Sequence, residues 1–176
     1  MTSDLRDVRP SPIGRLEFTP HNCFGCGTLN THGLQMDLHL EPGRAWTELR
    51  LDHRFEGWAE MAHGGIVCTI LDEVMAWALV AEDNFGVTAR MRVDFRKPVP
   101  IDTPIRADGW VTRSRRRLVE TGGRIIDVEH DLELATAEGT YLAADAERKR
   151  ELRERYAFRR LDDPSTNATP EPVDLR

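Results

Sequence analysis

Two adjacent carboxylates, Asp72 and Glu73, interrupt an apolar run from Ala62 to Leu79, and no Lys or Arg occurs between Phe55 and Ala89 to balance them. A carboxylate withdrawn from water is costly unless something neutralises or uses it, so these two acids are the first candidates for chemistry. Eight residues before Asp72 stands Gly64, between His63 and Gly65. Glycines let another molecule approach the backbone closely, and free N–H groups at a helix start attract partial negative charge. An uncapped glycine entrance of this kind is a candidate oxyanion site. A carboxylate further along supplies the nucleophile or general base that such a site serves.

The element that carries these residues reads as one helix. Ile66, Ile70 and Val74, and Val67, Leu71, Met75 and Leu79, recur at the i, i+4 spacing of helical faces. The run ends near Glu82-Asp83-Asn84. Its apolar surface goes nearly all the way round, which marks a buried helix. Thr69, Asp72, Glu73 and Ala76 fall at i, i+3, i+4 and i+7 and form one narrow polar notch. No Ser, Thr, Asp or Asn precedes the helix to cap its first N–H groups, so the entrance is expected to be open.

The rest of the chain alternates. Leu34, Met36, Leu38 and Leu40 oppose Gln35, Asp37 and His39, and after Glu41-Pro42-Gly43-Arg44 the alternation resumes to Leu51, a hairpin. Val87, Ala89, Met91, Val93 and Phe95 are expected to face inward from a strand that Pro98 and Pro100 end. Another strand covers about Ile105 to Thr112, followed by Arg113-Ser114-Arg115-Arg116-Arg117 as a basic hairpin or bulged continuation. Ile126, Val128, His130, Leu132 and Leu134 are expected to line one further strand face, with His130 as a core histidine, Thr136–Gly139 as a turn and Thr140–Ala144 as the last strand. Residues 1–20 read as a partly disordered arm, 21–145 as the domain, 146–160 as a charged helix and 161–176 as a disordered tail. One apolar helix and one apolar sheet face imply an α+β fold in which an antiparallel sheet of about six strands wraps the helix.

The 176 residues suit a single domain with a proper core, and the net charge of −6 argues against nucleic acid as a partner. The N-terminal residues lack the apolar core of a signal peptide, and Asp72 and Glu73 argue against a membrane span, so the expected location is the cytoplasm. Three cysteines do not make a secreted disulfide framework. Cys23 and Cys26, with His21 and His32 nearby, offer four zinc ligands, but the spacing is not that of a standard finger and no metal is expected.

Two strands, one helix and four strands, with His63-Gly64-Gly65 followed nine residues after the histidine by Asp72, resemble the hotdog-fold acyl-CoA thioesterases of the PaaI type. These are a branch of the 4-hydroxybenzoyl-CoA thioesterase superfamily. Cys23-Phe24-Gly25-Cys26-Gly27, with Asn30 and Gly33-Leu34, is similar to a segment of other members. The resemblance implies an acyl-CoA substrate, no cofactor, and hydrolysis to free acid and CoA. It implies Asp72 as nucleophile or general base, the Gly64 N–H as oxyanion donor beside His63 and Gly65, and Thr88 as a supporting hydroxyl. Some members place a water-holding Asn six residues before the histidine, where this chain has Gly57, with Glu56 and Glu60 as the neighbouring substitutes. Glu73, about 100° further round the helix, is expected to face the substrate or an interface rather than act as the catalyst. Met75, with Trp77 and Leu79, would line the acyl pocket, and Arg96, Lys97 and Arg113 would meet the CoA phosphates.

Gly64 and Asp72 lie about 12 Å apart along one helix. A single chain therefore cannot bring both to one carbonyl, whereas two antiparallel copies can. A homodimer, or a dimer of dimers, follows. Two other functions fit the same features: a non-enzymatic acyl-CoA-binding or regulatory protein, and a hotdog dehydratase that would use a histidine paired with an acid.

Overall fold

The computed structural model describes residues 7–9, 16–156 and 159–160, with side chains described for 19–156. Where an irregular arm is expected, the chain forms two short antiparallel strands, β1 (Asp7–Arg9) and β2 (Leu16–Phe18). The loop from His21 to Gly33 leads to the hairpin of β3 (His39–Glu41) and β4 (Arg44–Arg50), which turns at Gly43 with φ 64°. The alternation from Leu34 decides burial, since Met36, Leu38 and Leu40 are in the core. Ladder pairing begins only at His39.

A short 3-10 turn (His53–Phe55), N-capped by Asp52, leads into the small hairpin of β5 (Glu56–Trp58) and β6 (Met61–Ala62). Helix α1 follows (Gly64–Ala81), then β7 (Gly86–Phe95), β8 (Pro104–Arg115), β9 (Leu118–Asp127) and β10 (Leu132–Ala143). The charged helix α2 (Ala146–Tyr156) stops short of residue 160, and Arg159–Arg160 forms a last strand, β11, against β2. The expected disordered tail, 161–176, lies outside the described residues.

The main sheet is wholly antiparallel in the order β3-β4-β8-β9-β10-β7. It wraps α1, giving the expected α+β hotdog architecture. Val67, Ile70, Leu71, Val74, Met75 and Ala78 meet it with at most 2% exposure. Each large one contributes about 2 kcal/mol by leaving water. The close approach needs Gly109, because a Cβ there would stand 2.4 Å from the Val74 backbone. By length and composition α1 could cross a membrane, but here it is the core helix of the sheet.

Four expectations change. The alternation from Ile126 to Leu134 is not one strand, because β9 and β10 meet at a turn in its middle. Asp127 makes the turn: its Oδ1 accepts the N–H groups of Glu129 and His130, at 2.9 and 3.2 Å. His130 therefore lies exposed on the turn, with Nδ1 2.9 Å from Asp127 Oδ2, rather than in the core. Thr136–Gly139 lies within β10 instead of forming a turn. Of the apolar residues of β7, Met91 and Val93 pack partly against the core, but the two at its ends are not covered by their own chain: Val87 is 68% and Phe95 55% exposed on an edge strand.

Candidate active site

The start of α1 is capped after all. His63 is the N-cap in extended conformation (φ −62°, ψ 136°), and its Nδ1 accepts the Gly65 N–H at 3.0 Å. An accepting Nδ1 is the unprotonated nitrogen, which leaves the ring's proton on Nε2. Gly65 is thus committed to the imidazole, and a Cβ there would crowd Nδ1 at 3.1 Å. Gly64, the first helical residue, keeps an N–H with no acceptor among the described residues. Of the two glycines placed at the oxyanion site, only Gly64 has an amide to offer.

Gly57 packs against this entrance, where a Cβ would stand 2.9 Å from His63 Cα. An Asn side chain has no room there. Glu56 is engaged locally, accepting the Glu60 N–H. Gly57→Asn is expected to push His63 off the Gly65 N–H and lower thermal stability, rather than supply a missing water ligand. Thermal unfolding and turnover measured together check this.

Two turns further along α1, Asp72 is half-buried, facing β7 and β10. Thr88 Oγ1 donates to its Oδ1 at 2.7 Å, and the Tyr141 hydroxyl donates to the same oxygen at 2.8 Å. Tyr141 also lies 3.1 Å from the Asp72 carbonyl oxygen. Thr88 and Tyr141 are cross-strand partners beside a bulge at Thr140/Tyr141, a device that re-aims side chains. Both donors converge on Oδ1, and no donor among the described residues meets Oδ2. That oxygen is therefore the one available to a water or an acyl carbon.

Tyr141 is the residue that reading the sequence missed. Its place in the last strand was visible, but its partner is 69 positions away. Burial, reinforced by the Asp72 charge, holds the phenol well above its ordinary range, so it stays a donor. Tyr141→Phe is expected to cost about 1–2 kcal/mol of stability. Turnover is expected to fall about tenfold as Asp72 loses one of its two holds. Chemical denaturation and steady-state kinetics on one preparation check both.

Cys68, one turn before Asp72, is not a competing nucleophile, because burial and then the Asp72 charge push its thiol up. Glu73 points elsewhere. It accepts from Trp77 Nε1 at 2.9 Å and lies 3.7–3.8 Å from Cys23 Sγ. Burial pushes its carboxyl up, followed by the Cys23 charge. The single polar notch thus faces two ways: Asp72 meets Thr88 and Tyr141, whereas Glu73 meets Trp77 and Cys23. Met75 and Leu79 are fully buried between helix and sheet and Trp77 nearly so, so they are core residues rather than an open pocket's lining.

The three basic candidates do not converge within one chain. Arg96 and Lys97 follow Phe95, whose ring lies 3.6 Å from where a Gly64 Cβ would stand. Arg96 is ion-paired with Glu133 at 3.0 Å. Together with Arg90, Arg92 and Arg124 it borders a concave depression of about 950 Å³ on the outer sheet face. Arg113 opposes Glu120, and so lies across the sheet from Arg90. That is about 20 Å of strand away from Arg96.

Residues 59–134 match the family model of the thioesterase superfamily. The stretch includes Gly64, Asp72 and Thr88 and ends before Tyr141. The Escherichia coli PaaI protein from the phenylacetic acid degradation operon superposes with a TM-score of 0.60 at 17% identity, over 64% of this chain and 81% of that one. A Streptococcus mutans protein bound to acetyl CoA gives 0.59 at 17% identity, over 62% and 88%. A hypothetical thioesterase with coenzyme A from Streptococcus pneumoniae gives 0.57 at 17% identity, over 60% and 81%. No curated protein matches. The chain thus carries the hotdog fold of these structures, and its central segment matches the thioesterase superfamily model.

Proposed function

We propose that this protein hydrolyses an acyl-CoA thioester to a free acid and CoA, as a cytoplasmic homodimer or dimer of dimers with two shared sites. The observation that carries the reading is the Asp72 carboxylate, held through Oδ1 by Thr88 and Tyr141 with Oδ2 left open. As general base, Oδ2 takes a proton from water while the water oxygen attacks the thioester carbon. The carbonyl oxygen takes up negative charge at the Gly64 N–H of the partner chain. As the C–S bond breaks, the proton passes to the departing CoA sulfur. As nucleophile, Oδ2 would instead attack the carbon itself, and the C–S bond would break to release the CoA thiolate, which takes a proton from water. Water would then cleave the resulting mixed anhydride to the free acid and the Asp72 carboxylate.

Support for the shared site comes from the edge. β7 is unpaired on one side, and Val87, Phe95 and Trp58 (81% exposed) stand uncovered along it and at the entrance to α1. A ten-residue strand with an open apolar edge is a pairing surface. Arg96 and Lys97, at the glycine entrance, are the candidates for the CoA phosphates, with Arg113 reaching a phosphate only from another chain. A dehydratase is disfavoured because His63 is occupied as a helix cap and His130 sits on an exposed turn. Release of free thiol from a panel of acyl-CoAs tests the proposal. Hydrolysis of at least one member supports it, whereas binding without turnover across the panel would make the protein an acyl-CoA-binding module instead.

A further inference from the structure

Glu73 takes no part in the proposed hydrolysis, yet it is half-buried beside two cysteine sulfurs. Its oxygens lie 3.7 and 3.8 Å from Cys23 Sγ, and the two sulfurs and the carboxylate lie within 4.8 Å of one another. The edges of a tetrahedron built on zinc bonds to sulfur and oxygen are about 3.5–3.8 Å. The backbone is shaped to permit this. A Cβ on Gly25 would stand 2.4 Å from Glu73 Oε2, and one on Gly27 would stand 2.4 Å from Cys23 N. Gly27 N–H closes the tight loop on the Cys23 carbonyl at 3.0 Å. Inside that loop the Cys26 thiol and the backbone N–H groups of Cys26 and Gly25 all point at Cys23.

The surroundings hold the donors in place. Trp77 Nε1 donates to Glu73 Oε1 at 2.9 Å, orienting the carboxylate from outside, as the partners of metal ligands do. His21 takes the Cys23 N–H on Nδ1 at 3.2 Å, which puts its proton on Nε2, 3.9 Å from Cys26 Sγ. His21 therefore supports a thiolate rather than acting as a ligand itself, and His32 is exposed on the loop. Two sulfurs and a carboxylate thus meet in one half-buried pocket. A disulfide would use the sulfurs but leave Glu73 buried beside them without a cation.

We propose that Cys23, Cys26 and Glu73 bind a zinc ion, with the fourth position left to water, and that this fastens the His21–Gly33 loop to α1. The soft sulfur donors and the small tetrahedral cluster select zinc over magnesium or calcium. This site is separate from the proposed thioesterase site, since Glu73 and Asp72 face different ways from the helix.

The test uses the full chain, purified untagged under reducing conditions. Elemental analysis is expected to find about one zinc per chain. Replacing zinc with Co²⁺ should give the near-ultraviolet thiolate-to-cobalt band and the intense visible bands of tetrahedral cobalt. Cys23→Ser should abolish the thiolate band or cut it to about half, and Glu73→Gln should speed loss of metal to a chelator at least about tenfold. Cys68→Ser, which removes the remaining cysteine, should leave metal content and spectrum unchanged. Chelation of the wild type should lower its Tm by several degrees, reversed by added Zn²⁺. A reduced wild type that carries no zinc, gives no thiolate band with Co²⁺ and keeps its Tm under chelation would overturn the proposal. So would a cobalt spectrum lost in Cys68→Ser but kept in Cys23→Ser. None of these readouts depends on thioester hydrolysis, so this proposal and the thioesterase reading can fail independently.

Discussion

Asp72→Asn is expected to lower acyl-CoA hydrolysis by about 10³-fold with little change in stability, the usual loss when a general base or nucleophile is removed. The substitution is conservative in the way the test needs. An amide has nearly the shape of a carboxylate, and its oxygen can still accept from Thr88 and Tyr141, now 2.7 and 2.8 Å from Oδ1. Only the charge and basicity at Oδ2 are lost. Stability is therefore expected to move by less than about 1 kcal/mol. CoA affinity should be preserved, because nothing in the substitution touches Arg96 or Lys97. The measurement is thiol release with saturating substrate, alongside denaturation and CoA binding. A variant that keeps more than about a tenth of wild-type turnover would remove Asp72 from the chemistry.

Much of this site was legible because it is local. The helix spanning Gly64–Ala81, its glycine entrance and Asp72 belong to one element with one periodicity, and the edge strand at Gly86–Phe95 declared itself by alternation. What escaped was made by distant pairing. Tyr141 joins Asp72 across 69 positions, and Glu73 meets Cys23 across 50, so neither partner has a sequence spacing to betray it. The turn at Asp127 was hidden for a different reason. Ile126, Val128, Leu132 and Leu134 keep one parity in the sequence, so alternation reads two strands as one. The register nevertheless sets Ile126 opposite Glu133 and Asp127 opposite Leu132, which puts Ile126 and Leu132 on different faces. His63 misled because a helix cap is expected to be a short hydroxyl or carboxylate side chain, whereas here an imidazole nitrogen accepts the N–H. Val87 and Phe95 were expected to face inward, but they lie on an edge strand that a single chain does not cover.

Gly64→Pro is expected to lower turnover by about 10²–10³-fold, because it deletes a single N–H from the proposed oxyanion site. Proline is unusually well tolerated at this position. Gly64 is the first helical residue, where the N–H has no partner within the helix and proline's φ suits the start. His63 already has the extended conformation that a residue before proline requires, at φ −62° and ψ 136°. A Cβ at position 64 would meet only the Phe95 ring, at ordinary contact distance of 3.6 Å. Stability should therefore hold or rise by about 0.5 kcal/mol through the stiffer unfolded chain. Gly64→Ala adds the same Cβ but keeps the N–H, so it should retain near-normal activity, and the gap between the two variants isolates the amide. The decisive measurement mixes defects. If each site takes Asp72 from one chain and Gly64 from the other, co-expressing Asp72→Asn with Gly64→Pro puts both lesions of a mixed dimer into one site and leaves the second intact. With random pairing, half the dimers are mixed and half their sites work, so about a quarter of wild-type activity should return from two nearly inactive parents. If both groups served one site within a single chain, no mixture would exceed its parents. A mixture as inactive as its parents, from co-purified dimers shown to contain both chains, would rule out the shared site and with it the reason that Gly64 and Asp72 lie about 12 Å apart on one helix.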